Sequence, residues 1–172
     1  MIKTSFENSI CDIFLLYTSG IPIFAGCTGS EYCMNHYESH ELHAGFFSAI
    51  YNFSRETGIG SNLQSIIFDD IQLNFKIDEL EKVMLVFVHM KTAKLRIIQK
   101  QLDYALGIFL KKYKPILRKH YIERELFVEF MNDLKEKGIV NYKRIFPSKK
   151  MLLNQNDVIS RGFGFLKNSP SI

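Results

Sequence analysis

Residues Val83–Met90 read VMLVFVHM, apolar throughout except for His89. The run is far shorter than the ~20 residues that cross a bilayer, and it is bounded by the charged stretch Asp78–Lys82 and by Lys91. It fits a central β-strand covered on both faces. Just upstream, Ile71-Gln72-Leu73-Asn74-Phe75-Lys76-Ile77 alternates strictly, the mark of a strand with one apolar face. A fully covered strand beside a half-covered one calls for a sheet with packed layers on both sides. The chain can supply them. Of its 172 residues 47% are hydrophobic and 23% charged, including fifteen Phe and eight Tyr. That composition belongs to a soluble globular protein and excludes wholesale disorder or a collagen-like chain. A chain of this size buries roughly two-thirds of its unfolded surface and needs no metal or disulfide to fold.

Further elements follow from pattern and punctuation. Asp12–Tyr17 is β-prone and almost wholly apolar, Thr18-Ser19-Gly20 is a turn, and Ile21–Cys27 is a second strand. Pro22 cannot donate a ladder hydrogen bond, so this strand belongs at a sheet edge or begins at Pro22. Thr28–Tyr37 reads as loop. A helix follows, with Asn35 and Glu38, or else Ser39, as its cap and Gly58 and Gly60 as its stop. Leu42, Gly45, Phe46, Ala49, Ile50 and Phe53 form its expected buried stripe. Leu63–Phe68 is a third strand, ending at the turn pair Asp69-Asp70. After Val83–Met90 comes a long helix carrying Leu95, Ile98, Leu102, Ala105, Leu106, Phe109, Leu110 and Tyr113, which Pro115 is expected to kink or break. A last helix runs from about Tyr121 to Lys137, with Gly138 as its stop.

These elements make an α+β fold, an α/β/α sandwich. Its five-stranded, mainly antiparallel sheet is read in β-β-α-β-β-β-α-α order, with helices on both faces and Asp12–Tyr17 and Val83–Met90 central. Residues 1–138 form the domain, and 139–172 form an extension rich in Asn, Ser and Lys, expected to be irregular or loosely packed.

The order, together with Ile13-Phe14-Leu15-Leu16 leading into Ser19-Gly20-Ile21-Pro22-Ile23-Phe24, resembles the opening of longin-like domains of the longin/roadblock superfamily. Glu41-Leu42-His43-Ala44-Gly45-Phe46-Phe47-Ser48-Ala49-Ile50 is similar to their first helix, where Gly, Phe, Ser and Ala cluster. The resemblance covers roughly residues 10–137. It implies a non-enzymatic module that dimerises or regulates small Ras-like GTPases in membrane-trafficking-type assemblies. The implied partners are another longin/roadblock-like protomer or a GTPase. No SNARE-type heptad segment follows the domain, which turns the reading away from a SNARE.

Several residue groups are candidate sites. On the first helix His40, Ala44, Phe47 and Tyr51 recur roughly opposite the expected buried stripe. Aromatic rings on an outer face need a cover, so His40, Phe47 and Tyr51 are the expected partner contacts, with the adjoining Pro22 strand edge as a second element. The cover is a second protomer, a GTPase or the C-terminal tail.

Between Lys91 and Arg124 ten Lys or Arg face only Asp103 and Glu123, while the rest of the chain carries twelve basic against sixteen acidic residues. Lys111, Lys112, Lys114, Arg118 and Lys119 are therefore candidates for an anionic membrane surface, the alternative function, or for an acidic partner. A solvated polar face accounts for the same charges equally well. Nucleic acid has no specific support. Arg161-Gly162-Phe163-Gly164-Phe165-Leu166 imitates an RNA-recognition motif but has Asn168 where an aromatic is required, and that fold needs a helix and strand after it.

Cys33, His36, His40 and His43, with Cys27, form the most zinc-like group, but without a Cys-x2-Cys pair no metal site is expected. Phosphate-loop and nucleophile-elbow motifs are absent. Gly58-Ile59-Gly60 follows a helix, the wrong setting for a dinucleotide turn. No catalytic residue or cofactor is expected. Three cysteines suit a reducing cytoplasm better than a secreted disulfide framework, with peripheral membrane association left open. Phe24-Ala25-Gly26-Cys27 only imitates a lipoprotein box, because charge and Pro22 interrupt the segment before it.

Overall fold

A computed structural model describes residues 10–28, 40–58, 63–117 and 129–140. In chain order they form β1 (Ile10–Tyr17), β2 (Pro22–Cys27), α1 (His40–Glu56), β3 (Ser65–Ile67), β4 (Ile71–Asp78), β5 (Val83–Met90), α2 (Leu95–Leu117) and α3 (Glu129–Glu136). The strands make one antiparallel sheet in the order β2-β1-β5-β4-β3. The apolar run 83–90 thus lies at the sheet's centre, hydrogen-bonded to β1 and β4, and Pro22 begins an edge strand, where its missing N–H is harmless.

Alternation along the central strand sends side chains into two separate cores. Val83, Leu85 and Phe87 join Ile13, Leu15 and Ile23 beneath α2 and α3, against Ile98, Leu102, Ala105, Phe109, Phe130 and Leu134. Met84, Val86 and Val88 join Phe14, Leu16, Leu73 and Phe75 beneath α1, against Ala44, Phe47 and Tyr51. Phe130 of α3 sits among Phe109, Tyr113 and Phe24, with ring centroids 5.3, 6.3 and 5.9 Å away. Gly26 makes room for this helix: a Cβ there would stand 2.7 Å from Met131 Sδ.

Helix ends follow local chemistry. Gly138, at φ 67°, closes α3 in a Schellman arrangement, with Ile139 N donating to Leu134 O at 2.9 Å and Gly138 N to Lys135 O at 2.9 Å. This turn folds Ile139 and Val140 into the core under α2, so packing continues past position 138. Gly58, at φ 66°, likewise follows α1. Pro115 neither ends nor breaks α2, which continues to Leu117. Its missing N–H costs the ladder one bond, the one to the carbonyl four residues back. The sequence placed the start of the last helix near Tyr121, but 118–128 lie outside the described residues, as do Arg161–Leu166 and the rest of 141–172.

Candidate functional site

The first helix carries apolar residues on two opposite faces, and the sheet takes the one that the sequence pattern had turned outward. Phe47 is only 2% exposed and Tyr51 only 1%. Phe47 packs edge-on against Phe14 at 5.2 Å and Phe75 at 5.7 Å. The expectation that Phe47 and Tyr51 are exposed partner contacts is therefore corrected: both are core. His40 opens α1, but its side chain lies outside the described residues.

The physical reason lies in the polar tips of that face. Ser48 Oγ donates to Thr18 O at 2.8 Å, on the β1–β2 turn. Tyr51 Oη donates to Glu79 Oε1 at 2.7 Å, on the β4–β5 turn. Arg55 Nη1 donates to Tyr51 Oη at 2.9 Å and pairs with Glu79 Oε2 at 3.2 Å, its guanidinium lying 5.5 Å from the Tyr51 ring centroid. Burial, reinforced by Glu79, pushes the Tyr51 hydroxyl above its ordinary pKa, so it stays a donor. Gly20, at φ 93° in the β1–β2 turn, lets the helix approach: a Cβ there would stand 3.1 Å from Ser48 Cβ. The stripe Leu42–Phe46–Ala49–Phe53 has no polar group able to satisfy these turns. A buried face built from Ala44, Phe47, Ser48 and Tyr51 satisfies them and still fills the core.

What remains outside is the stripe expected to be buried. Leu42 is 75% exposed, Phe46 44% and Phe53 59%, with Ala49 also exposed and Ile50 half-buried. At 100° per residue these positions fall on the side of α1 facing away from the sheet. They form a ridge about 17 Å long, from eleven residues at ~1.5 Å each. At the β4 side of the sheet the three-residue β3 ends the pairing among the described residues, with Ile67 and Phe68 exposed. The signal that could have separated the two faces of α1 was their polar content, which periodicity ignores.

The basic candidates divide. Lys112 Nζ pairs with Asp133 at 3.0 Å and Glu129 at 3.2 Å, and the hydrogen bond to Asp133 leads in holding it charged, well above the ordinary lysine range. Lys114 pairs with Glu81 at 2.9 Å. Both are taken up inside the molecule. Lys111 is exposed on α2 and makes no ion pair among the described residues. Arg118 and Lys119 lie outside the described residues.

Of the zinc-like group, Cys33 and His36 also lie outside. His43 packs against Phe14 and Phe47 with centroids 5.8 and 6.1 Å away. Cys27 is disulfide-bonded, which removes its sulfur as a thiolate ligand and which the expectation of a reducing compartment does not account for. Cys11 is a buried thiol. Among the described residues no three His, Cys, Asp or Glu side chains gather as a metal would require, and no helix is long and apolar enough to cross a membrane.

Among the described residues the fold is a five-stranded antiparallel sheet with one helix on one face and two on the other, the α+β arrangement expected from the longin-like resemblance. Three solved structures are similar in fold. A Roadblock/LC7 domain from Streptomyces avermitilis is 18% identical, with a TM-score of 0.46 over 64% of this chain and 88% of its own. Myxococcus xanthus MglB is 18% identical, with a TM-score of 0.48 over 65% of this chain and 83% of its own. The mammalian SRP receptor is 15% identical, with a TM-score of 0.45 over 76% of this chain and 95% of its own. No protein-family model matches the chain, and neither does the sequence of any curated protein.

Proposed function

We propose that this chain is a non-enzymatic longin-like interaction module whose partner covers the outer ridge of α1. The partner is a second longin/roadblock-like protomer or a small Ras-like GTPase, and the setting is a membrane-trafficking-type assembly. The observation that carries this reading is the ridge itself. Leu42, Phe46 and Phe53 stand exposed in line on a helix whose opposite face already fills the core. Large side chains aligned this way on an outer helix face mark an interaction site. The short β3 edge, whose outer side pairs with no strand among the described residues, is a further point of attachment.

The test is a Leu42→Asp, Phe46→Asp double variant. It should keep the wild-type circular dichroism and melting temperature. Its sedimentation should shift to monomer if the partner is a second copy, or it should lose capture of GDP- or GTP-loaded Ras-like GTPases if the partner is one of those. A folded variant that behaves as wild type in both assays overturns the assignment of the ridge.

A further inference from the structure

The other side of the molecule carries a feature that the α1 reading leaves unused. Helix α2 bears seven cations if Lys91 and Lys94, just ahead of it, are included: Lys91, Lys94, Arg96, Lys100, Lys111, Lys112 and Lys114. Against them stands one acid, Asp103, and Lys76 of β4 already holds it at 2.7 Å. Lys112 and Lys114 are matched by Glu129, Asp133 and Glu81. The remaining five, Lys91, Lys94, Arg96, Lys100 and Lys111, are all exposed and make no ion pair among the described residues.

Their placement is not scattered. The buried side of α2 is set by Ile98, Leu102, Ala105, Phe109 and Tyr113. At 100° per residue Arg96, Lys100 and Lys111 fall on the opposite side, and the row runs about 22 Å along the helix. Tyr104 lies on the same outward side between Lys100 and Lys111 and is 53% exposed. No acidic residue occupies the first turn of α2, so nothing there offsets the positive helix end or the Lys94 and Arg96 charges.

We propose that this row is a docking face for a bilayer surface carrying anionic lipid headgroups. The fit is one of charge and shape. A line of unmatched cations along a convex helix meets a broad anionic plane with all its charges at once. A tyrosine in its midst has the apolar ring and polar tip suited to the headgroup layer. A single-stranded nucleic acid is the weaker fit, since it is held by several stacking aromatics along a concave track, and this face has one ring on a ridge. The two functional surfaces are also compatible. Because α1 and α2 pack on opposite faces of the sheet, the chain can lie on a membrane through α2 while α1 holds its partner. The inference is independent of the α1 reading.

The test uses the full chain with phosphatidylcholine vesicles, with and without phosphatidylserine, in a co-sedimentation assay. Binding should require phosphatidylserine and should fall at least about tenfold when salt is raised enough to shrink the Debye length from ~10 Å toward ~3 Å. An Arg96→Glu, Lys100→Glu, Lys111→Glu triple variant should lose it by at least about tenfold. The milder Arg96→Gln, Lys100→Gln, Lys111→Gln variant should lose an intermediate amount, and melting curves show whether each variant is folded. A Lys112→Gln, Lys114→Gln variant, which removes only the ion-paired cations, should bind within about twofold of wild type. The proposal is overturned if the wild-type chain ignores phosphatidylserine, if it binds neutral vesicles equally well, or if the folded triple variants bind like wild type. It is overturned too if a labelled oligonucleotide binds through these residues while vesicles do not, which would make the face a nucleic-acid surface.

Discussion

His89 is fully buried in the central strand, an unusual place for a titratable ring. Its Nε2 lies 2.7 Å from Asn74 Oδ1 and its Nδ1 2.9 Å from Met90 O. A neutral imidazole has one N–H to donate. Both neighbours are oxygen acceptors, so the neutral ring donates to one of them at a time, the tautomer deciding which. Burial pushes the His89 pKa below its ordinary 6.5, and the Met90 carbonyl only partly opposes this. The unfolded chain therefore binds a proton near pH 6.5 that the folded chain refuses. Stability should fall as pH drops below 6.5, at no more than ~1.4 kcal/mol per pH unit from this group, and level off once the folded ring also protonates. Urea midpoints at pH 7.5 and 5.5 should differ more for wild type than for His89→Gln. Equal differences in the two proteins would show that His89 is not the group responsible.

For the elements, regular patterning carried the sheet and failed at the first helix. Strict alternation in β4 and the unbroken run in β5 fix which side chains face which core, because a strand has only two faces. Pro22 and Gly138 told where an edge strand begins and where α3 stops. A helix surface is continuous, and α1 has apolar groups on both sides, so period alone could not choose between Phe46 and Phe47. The choice was made by Thr18 O and Glu79, tertiary partners 30 and 28 residues away from Ser48 and Tyr51. Long-range pairing also hid the fate of Lys112, whose acids come from a different helix. Substitutions separate the two faces. Phe47→Ala empties a closed aromatic site and should cost ~3–5 kcal/mol in chemical denaturation. Phe46→Ala, measured dilute enough that no partner covers the ridge, should stay within about 0.5 kcal/mol of wild type. The reverse ranking would put α1 the other way round.

At the scale of the whole molecule, two cores share one sheet, and neither is closed without β5. Met84 and Leu85 are neighbours in sequence, both fully buried, yet one belongs to the core under α1 and the other to the core under α2 and α3. The β5 backbone is bonded to β1 on one side and β4 on the other, so neither core can open without disturbing a ladder the other depends on. That shared strand predicts one cooperative unit although the apolar contacts fall into two clusters. Met84→Ala and Leu85→Ala should each cost ~2–5 kcal/mol. More tellingly, either one should lower hydrogen-exchange protection in β1 and in β4 by the same amount, and with it the most protected amides of α1 and α2. If Met84→Ala loosened α1 and left α2 fully protected, the two layers would be separate folding units. A partner seated on α1 would then have no rigid connection to the basic face of α2. Equal loss on both sides would show that the two layers open as a single unit through β5.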